Sequence, residues 1–176
     1  AWAPIPGTVA KMSSQIADHV SHAYRLNKAG TQLVAVVPSK PTVTSGTTNI
    51  SIKAIAIRKT ANSNNGIEVL SGNDVTQSEM FTFCGLGTRC SIASGKPSSL
   101  RGRLIRREAL EVALYTFKFV PSINSVIAFM PPPPGPTTTP SLLFLRKQNF
   151  KDSRSQPPRP TLPRLTPPLP TETASR

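Results

Sequence analysis

The chain has 176 residues, with 21 Lys and Arg against eight Asp and Glu, so its formal net charge is +13. This length suits one domain. No apolar run approaches the roughly 18 residues of a membrane-spanning helix, so no such span is expected within it. The charge favours anionic partners such as nucleic acid, acidic lipid or an acidic wall polymer. A generally solvated charged surface is the alternative interpretation.

The first helix is predicted over about residues 9–24. Residues 1–8 contain two prolines and a glycine and predict an extended lead-in. Apolar residues then recur at spacings of three and four, which indicates one buried stripe. His19 and His22 lie one turn apart on this helix and could share a ligand. With no third imidazole or cysteine nearby in the sequence, they are interpreted as surface or edge histidines.

Five short strands are predicted before the second helix. Their apolar runs and alternating residues lie at 32–37, 49–58, 67–70, 80–83 and 89–92. Pro38 is expected to end the first strand, and residues 38–48 are interpreted as a turn-rich connection. The alternation in 49–58 shifts phase at Ala54, which predicts a bulge or bend within one strand.

Cys84 and Cys90 enclose a short glycine-containing loop with C-x5-C spacing. We interpret them as a disulfide, which in so small a ring stabilises the fold by about 2 kcal/mol and mainly fixes the loop. The alternatives are free buried thiols, or metal or redox chemistry, for which the spacing is unsuitable. A disulfide predicts a location outside the reducing cytoplasm.

A second helix is predicted after a cap at Ser98 or Ser99, with an apolar stripe at helical spacing. Four arginines occupy its first two turns, where they oppose the helix dipole. A bound anion would offset this repulsion, which predicts an anion site; the alternative is a solvated face with local carboxylate partners such as Glu111. The candidate anion-binding residues are Lys96, Arg101, Arg103, Arg106 and Arg107.

Apolar segments at 125–130 and 141–145 predict two further strands. Because the second helix lies between two predicted strands, it is expected to form a crossover connection. The predicted architecture is a single α+β domain over residues 9–150. It contains a mixed or antiparallel sheet of six to eight short strands and two main helices.

The Pro-rich segment at 151–176 has too few large apolar residues to fold, so a disordered basic tail is predicted. It contains two R-x-x-P-x-x-P patterns, which an aromatic groove of the SH3 kind accepts. A linker or wall-spanning spacer is the favoured alternative. The residues of the two patterns are Arg154, Pro157 and Pro160, and Arg164, Pro167 and Pro170.

The run RREALEVALYTFKF at residues 106–119, between the two cysteines and the four prolines at 131–134, resembles an uncharacterised group of bacterial membrane-tethered proteins. The resemblance covers about residues 81–145. It implies an extracytoplasmic domain whose anchor precedes Ala1, and it implies no catalytic or binding residue.

These observations favour a non-catalytic extracytoplasmic binding or scaffold module of the cell envelope. Its basic surface and Pro-rich tail would contact an anionic envelope polymer, a lipid surface or a protein. The first alternative is a cytoplasmic nucleic-acid-binding protein, and the second is an enzyme with an unrecognised site. No catalytic motif such as G-x-S-x-G or HExxH is present, and no cofactor or metal is expected.

Overall fold

The computed structural model describes residues 2–25, 32–58, 66–84, 98–131 and 141–150 as an α+β fold. Eight strands and two main helices lie in this part of the chain, which confirms the predicted class. In chain order the elements are α1 (Val9–Ser21), β1 (Ala35–Ser39), β2 (Thr42–Ser45), β3 (Thr48–Ser51), β4 (Ala54–Arg58), β5 (Ile67–Ser71), α2 (Asn73–Thr76), β6 (Ser78–Cys84), α3 (Ser99–Phe119), β7 (Ser125–Met130), β8 (Ser141–Arg146) and a 3₁₀ turn (Lys147–Phe150). The predicted strand at 89–92 and the predicted disordered tail lie outside the described residues.

The main sheet has four strands in the order β1-β6-β7-β8. Strands β6 and β7 are parallel, and the other two pairings are antiparallel, so the sheet is mixed. Helix α3 connects β6 to β7, as a parallel pair requires a crossover. The predicted crossover is therefore confirmed.

The main core lies between the helices and one face of this sheet. Helix α1 contacts α3 and β1, and α3 contacts β6 and β7. The apolar stripe of each helix faces this core, as its spacing predicted. Members of the buried cluster include Ile16, Val20, Phe81, Phe83, Ile105, Ala109, Val112, Val126 and Ala128.

Strand β7 is covered on both faces of the sheet. Val126 and Ala128 belong to the main core, while Ile127, which points to the opposite face, is only 1% exposed. This explains why β7 is a continuous apolar run rather than an alternating one.

Two separate hairpins, β2–β3 and β4–β5, complete the described fold. The prediction of one bent strand at 49–58 was wrong, because β3 and β4 belong to different hairpins. The phase shift at Ala54 marks the boundary between them: the Ile52 N–H donates to the Pro41 carbonyl (2.9 Å), and β4 begins two residues later. Strand β2 lies in the segment that was interpreted as a connection.

Strand β1 also differs from its prediction, since it includes Pro38 rather than ending before it. Pro38 lies opposite Phe81 of β6. Because β1 is at the edge of the sheet, it needs hydrogen bonds on one side only, which is where proline is tolerated.

Both main helices begin at hydroxyl caps. The Thr8 hydroxyl accepts from the Lys11 N–H (3.3 Å), and the Ser98 hydroxyl accepts from the Arg101 N–H (3.0 Å). Ser98 is therefore the cap among the two serines predicted. No helix in the described ranges combines the length and apolar character that membrane spanning requires.

Replacing Ser98 by Ala should lower the free energy of unfolding by about 1 kcal/mol, because the Arg101 N–H loses its acceptor. Ser99→Ala is the matched control, since Ser99 is exposed and lies inside the helix. Urea unfolding followed by circular dichroism measures both variants. Equal loss in the two would contradict the assignment of the cap.

Candidate functional site

The arginines of α3 point in different directions. Arg103 and Arg106 are exposed, whereas Arg101 is only 2% exposed. The Arg107 Nε lies 3.5 Å from the Glu111 Oε1, and both side chains are largely buried. The predicted anion-binding set is thus divided: two arginines reach solvent, two face inward, and Lys96 lies outside the described residues.

Three carboxylates of the described residues are buried. Glu108 is 0% exposed, Glu79 2% and Glu111 8%. Glu108 and Glu111 are on α3, and Glu79 is on β6. Burial of so many carboxylates is unusual, because a charged group loses its hydration there.

Glu108 has the most extreme environment of the three. Neither of its carboxylate oxygens has a hydrogen-bond partner in the part of the chain that the structure describes. Burial first, and then the charge of Glu111, raise the pKa of Glu108 well above its ordinary value. The protonated form of this carboxyl is therefore favoured in the folded state.

The other two buried carboxyls have nearby groups that reduce the shift. Burial raises the pKa of Glu111, while Tyr24 and Arg107 act in the opposite direction. Burial likewise raises the pKa of Glu79, and Ser13 and Lys40 oppose it. The Lys40 Nζ lies 3.9 Å from the Glu79 Oε2.

Tyr24, three residues after the end of α1, is fully buried and interacts electrostatically with Glu111 and Glu108. Burial and the negative charge of Glu111 raise its pKa, so the phenol stays protonated.

Because these carboxylates are buried, the exposed charges of the described residues are mostly positive. Among the described residues six Lys and Arg side chains are exposed, but only two carboxylates are. The exposed cations are Lys11, Lys40, Lys53, Arg103, Arg106 and Lys118, and the exposed acids are Asp18 and Asp74.

The buried acids were not predicted from the sequence, although the helical spacing contained the signal. Arg101, Ile105, Glu108 and Val112 follow one another at intervals of four and three, and all are buried. Glu108 therefore lies on the apolar stripe itself.

A polar cleft of about 370 Å³ lies where β5 and α2 approach the end of β8. The Arg146 Nη2 donates to the Glu68 Oε1 at 2.6 Å, and the guanidinium lies 5.5 Å from the Phe144 ring centre. Asp74 and Lys147 also line the cleft. Its charges balance, so it is not a strongly cationic site.

The two histidines lie at a second hollow, of about 400 Å³, beside the lead-in. The Trp2 ring stacks on His19 with centroids 3.8 Å apart, and the His22 Nδ1 lies 3.4 Å from the Asp18 Oδ1. Burial lowers the pKa of His19. Over the described ranges, no three His, Cys, Asp or Glu side chains group as a metal site would require.

The remaining predicted site residues lie at or beyond the edges of the described chain. Cys84 is the last residue of β6, and Cys90 lies outside the described residues, so the disulfide stays a prediction. Both Pro-rich patterns, from Arg154 to Pro170, also lie outside them.

Comparisons with models of known protein families, with curated proteins and with solved structures found no match to this chain.

Replacing Glu108 by Gln should make stability less dependent on pH. Because burial raises the pKa of Glu108, the unfolded chain releases a proton that the folded state retains. The free energy of unfolding therefore falls as pH rises above about 4.3, by at most about 1.4 kcal/mol per pH unit for this proton. The decline continues until the raised pKa is passed, and E108Q should lack this contribution.

Urea unfolding between about pH 5 and pH 8 measures the slope. The control is Asp74→Asn, which removes an exposed carboxyl and should change the slope less than E108Q does. Some slope should persist in E108Q, because the pKa values of Glu79 and Glu111 are raised as well. A slope identical to that of the wild type would contradict the role of Glu108.

Proposed function

We propose that this protein is a non-catalytic binding module that contacts an anionic polymer of the cell envelope through its cationic surface. The observation that carries the proposal is the uneven distribution of charge among the described residues. Glu79, Glu108 and Glu111 are buried, and six exposed Lys and Arg side chains stand against two exposed carboxylates. The formal net charge of +13 counts every carboxyl as ionised, so each buried carboxyl that keeps its proton raises the net charge by one.

Arg103 and Arg106 are the proposed centre of this surface. They lie three residues apart on α3, so their side chains leave neighbouring positions of one helix. Both are exposed, and Gly102 beside them carries no side chain that would cover them. Two adjacent guanidinium groups suit phosphate or carboxylate groups that repeat along a polymer.

The environment of the aromatic residues favours an envelope polymer over single-stranded nucleic acid. Proteins that bind single strands present aromatic rings on which bases stack. All ten aromatic residues of this chain lie in the described part, and none is fully exposed. Trp2, Tyr115 and Phe119 are half-buried and contact one another.

The proposed location outside the cytoplasm is supported by the sequence alone. The spacing of Cys84 and Cys90 suits a disulfide, and an oxidised pair is stable outside the reducing interior.

Binding should weaken as salt rises, because each neutralised anionic group releases a counterion. We expect the protein to bind polyphosphate, used as a model polyanion, with a linear loss of log affinity against log salt concentration. In the double variant Arg103→Gln/Arg106→Gln the slope should fall by about 2, roughly one unit for each lost contact. Fluorescence anisotropy of labelled polyphosphate at several salt concentrations measures both slopes.

Lys11→Gln/Lys53→Gln is the matched control, since it removes two exposed charges from other parts of the fold. It should change the slope less than the arginine variant. Equal losses would contradict the placement of the site on α3. Affinity independent of salt would contradict the proposed function, and tighter binding to a single-stranded oligonucleotide of equal charge would favour the nucleic-acid alternative.

A further inference from the structure

The β2–β3 hairpin forms a two-stranded sheet of its own. Its strands pair with each other from Thr42 opposite Ser51 to Ser45 opposite Thr48. Val43 and Ile50 lie directly opposite each other and are 53% and 49% exposed. Within the described chain, the hairpin therefore presents an apolar pair of side chains and the edge of β2.

This hairpin is uncharged, although the chain is strongly basic. No Lys, Arg, Asp or Glu occurs between Lys40 and Lys53, which flank the hairpin on either side. The strands are rich in threonine and β-branched residues, which favour extended pairing. Charged side chains or proline normally protect exposed edges, and both hairpin strands lack them.

Two strands alone are a marginal structure in water. At least three strands with an apolar face, or packing against a helix, are needed for independent stability. A further strand paired with β2 would meet this requirement. The Val43–Ile50 pair would then join a wider apolar face.

We propose that the hairpin is a self-association element, in which a second copy of this chain adds its own hairpin edge to edge. The pairing is antiparallel about a two-fold axis, so that the two hairpins form one four-stranded sheet. Each copy contributes the same surface, as in an isologous dimer.

A second copy suits this surface because of its charge. Two chains of formal charge +13 repel each other over most of their surface, and an uncharged segment is where they can approach. Charged or strongly polar ligands have no ionic partner on the hairpin itself. The surface therefore fits another apolar, uncharged strand pair.

The two-fold geometry also aligns the apolar side chains. With the axis at Val43, this residue faces its own copy across the new strand pair, and each Val43 lies beside an Ile50 of the same chain. The four side chains form one stripe across four strands.

The flanking lysines remain apart in this arrangement. Lys40 lies three residues before Val43, and Lys53 lies three residues after Ile50. Antiparallel pairing puts the two copies of either lysine on opposite sides of the axis, about 20 Å apart along the strands. The lysines therefore oppose the addition of further copies to the sheet without opposing the dimer.

The test is sedimentation velocity of the full chain from about 10 µM to about 1 mM, a range that suits a small interface. We expect a monomer–dimer equilibrium that shifts towards dimer as sodium chloride rises, because salt screens the repulsion between copies. This dependence is opposite to that expected for polyanion binding. The two proposals can therefore fail independently.

The variants are Val43→Lys and Ile50→Lys, with Val69→Lys as the matched control. Val69 is 63% exposed on β5, in the other hairpin. We expect the dimer dissociation constant to rise at least about tenfold in the first two and to change less than about twofold in the control. The double variant Val43→Thr/Ile50→Thr keeps β-branched, uncharged side chains and should also weaken the dimer.

Amide hydrogen exchange tests the dimer in the wild-type protein, so it does not require any variant to fold. Protection of β2 and β3 amides in the wild type should increase with protein concentration. A protein that remains monomeric at the highest concentration and salt would overturn the proposal. So would a dimer that salt dissociates, or one that Val69→Lys disrupts while Val43→Lys and Ile50→Lys leave it intact.

Discussion

The packing of α3 on more than one side is the constraint on which the rest of the structure depends. The helix connects two parallel neighbouring strands, so it must cross one face of the sheet. Helix α1 contacts it as well. Only part of the helix surface then remains in solvent, and several of its charged residues lie inside.

That packing makes the net charge a poor guide to the surface. Eight acids against 21 bases already give an excess of positive charge. The fold increases the excess of positive charge at the surface, because Glu79, Glu108 and Glu111 are buried. Buried carboxyls with raised pKa values oppose folding at neutral pH, and crowded surface cations do the same by repulsion. An anionic ligand that binds only the folded state would offset the second effect.

The sequence predicted an element correctly wherever its local pattern agreed with its packing in the fold. The stripe of α3, its Ser98 cap and the apolar run of β7 are each determined by spacing within one element. The burial of Arg101 and Glu108 was not predicted, because charged side chains are rarely buried, although both residues lie at the spacing of the apolar stripe. The boundary between β3 and β4 was missed because the strand partner of each lies outside the 49–58 segment. Pro38 was misread because its place at a sheet edge is a tertiary property.

The two proposed interactions are coupled by electrostatics. Repulsion between copies opposes the hairpin dimer, and an anionic polymer would neutralise part of the charge that causes it. A polymer long enough to contact two copies would also raise the local concentration of one hairpin near the other. By linkage, a dimer that binds the polymer more tightly than the monomer must itself be favoured by the polymer. The uncharged segment between Lys40 and Lys53 and the outward arginines of α3 would therefore act together, although they belong to different elements.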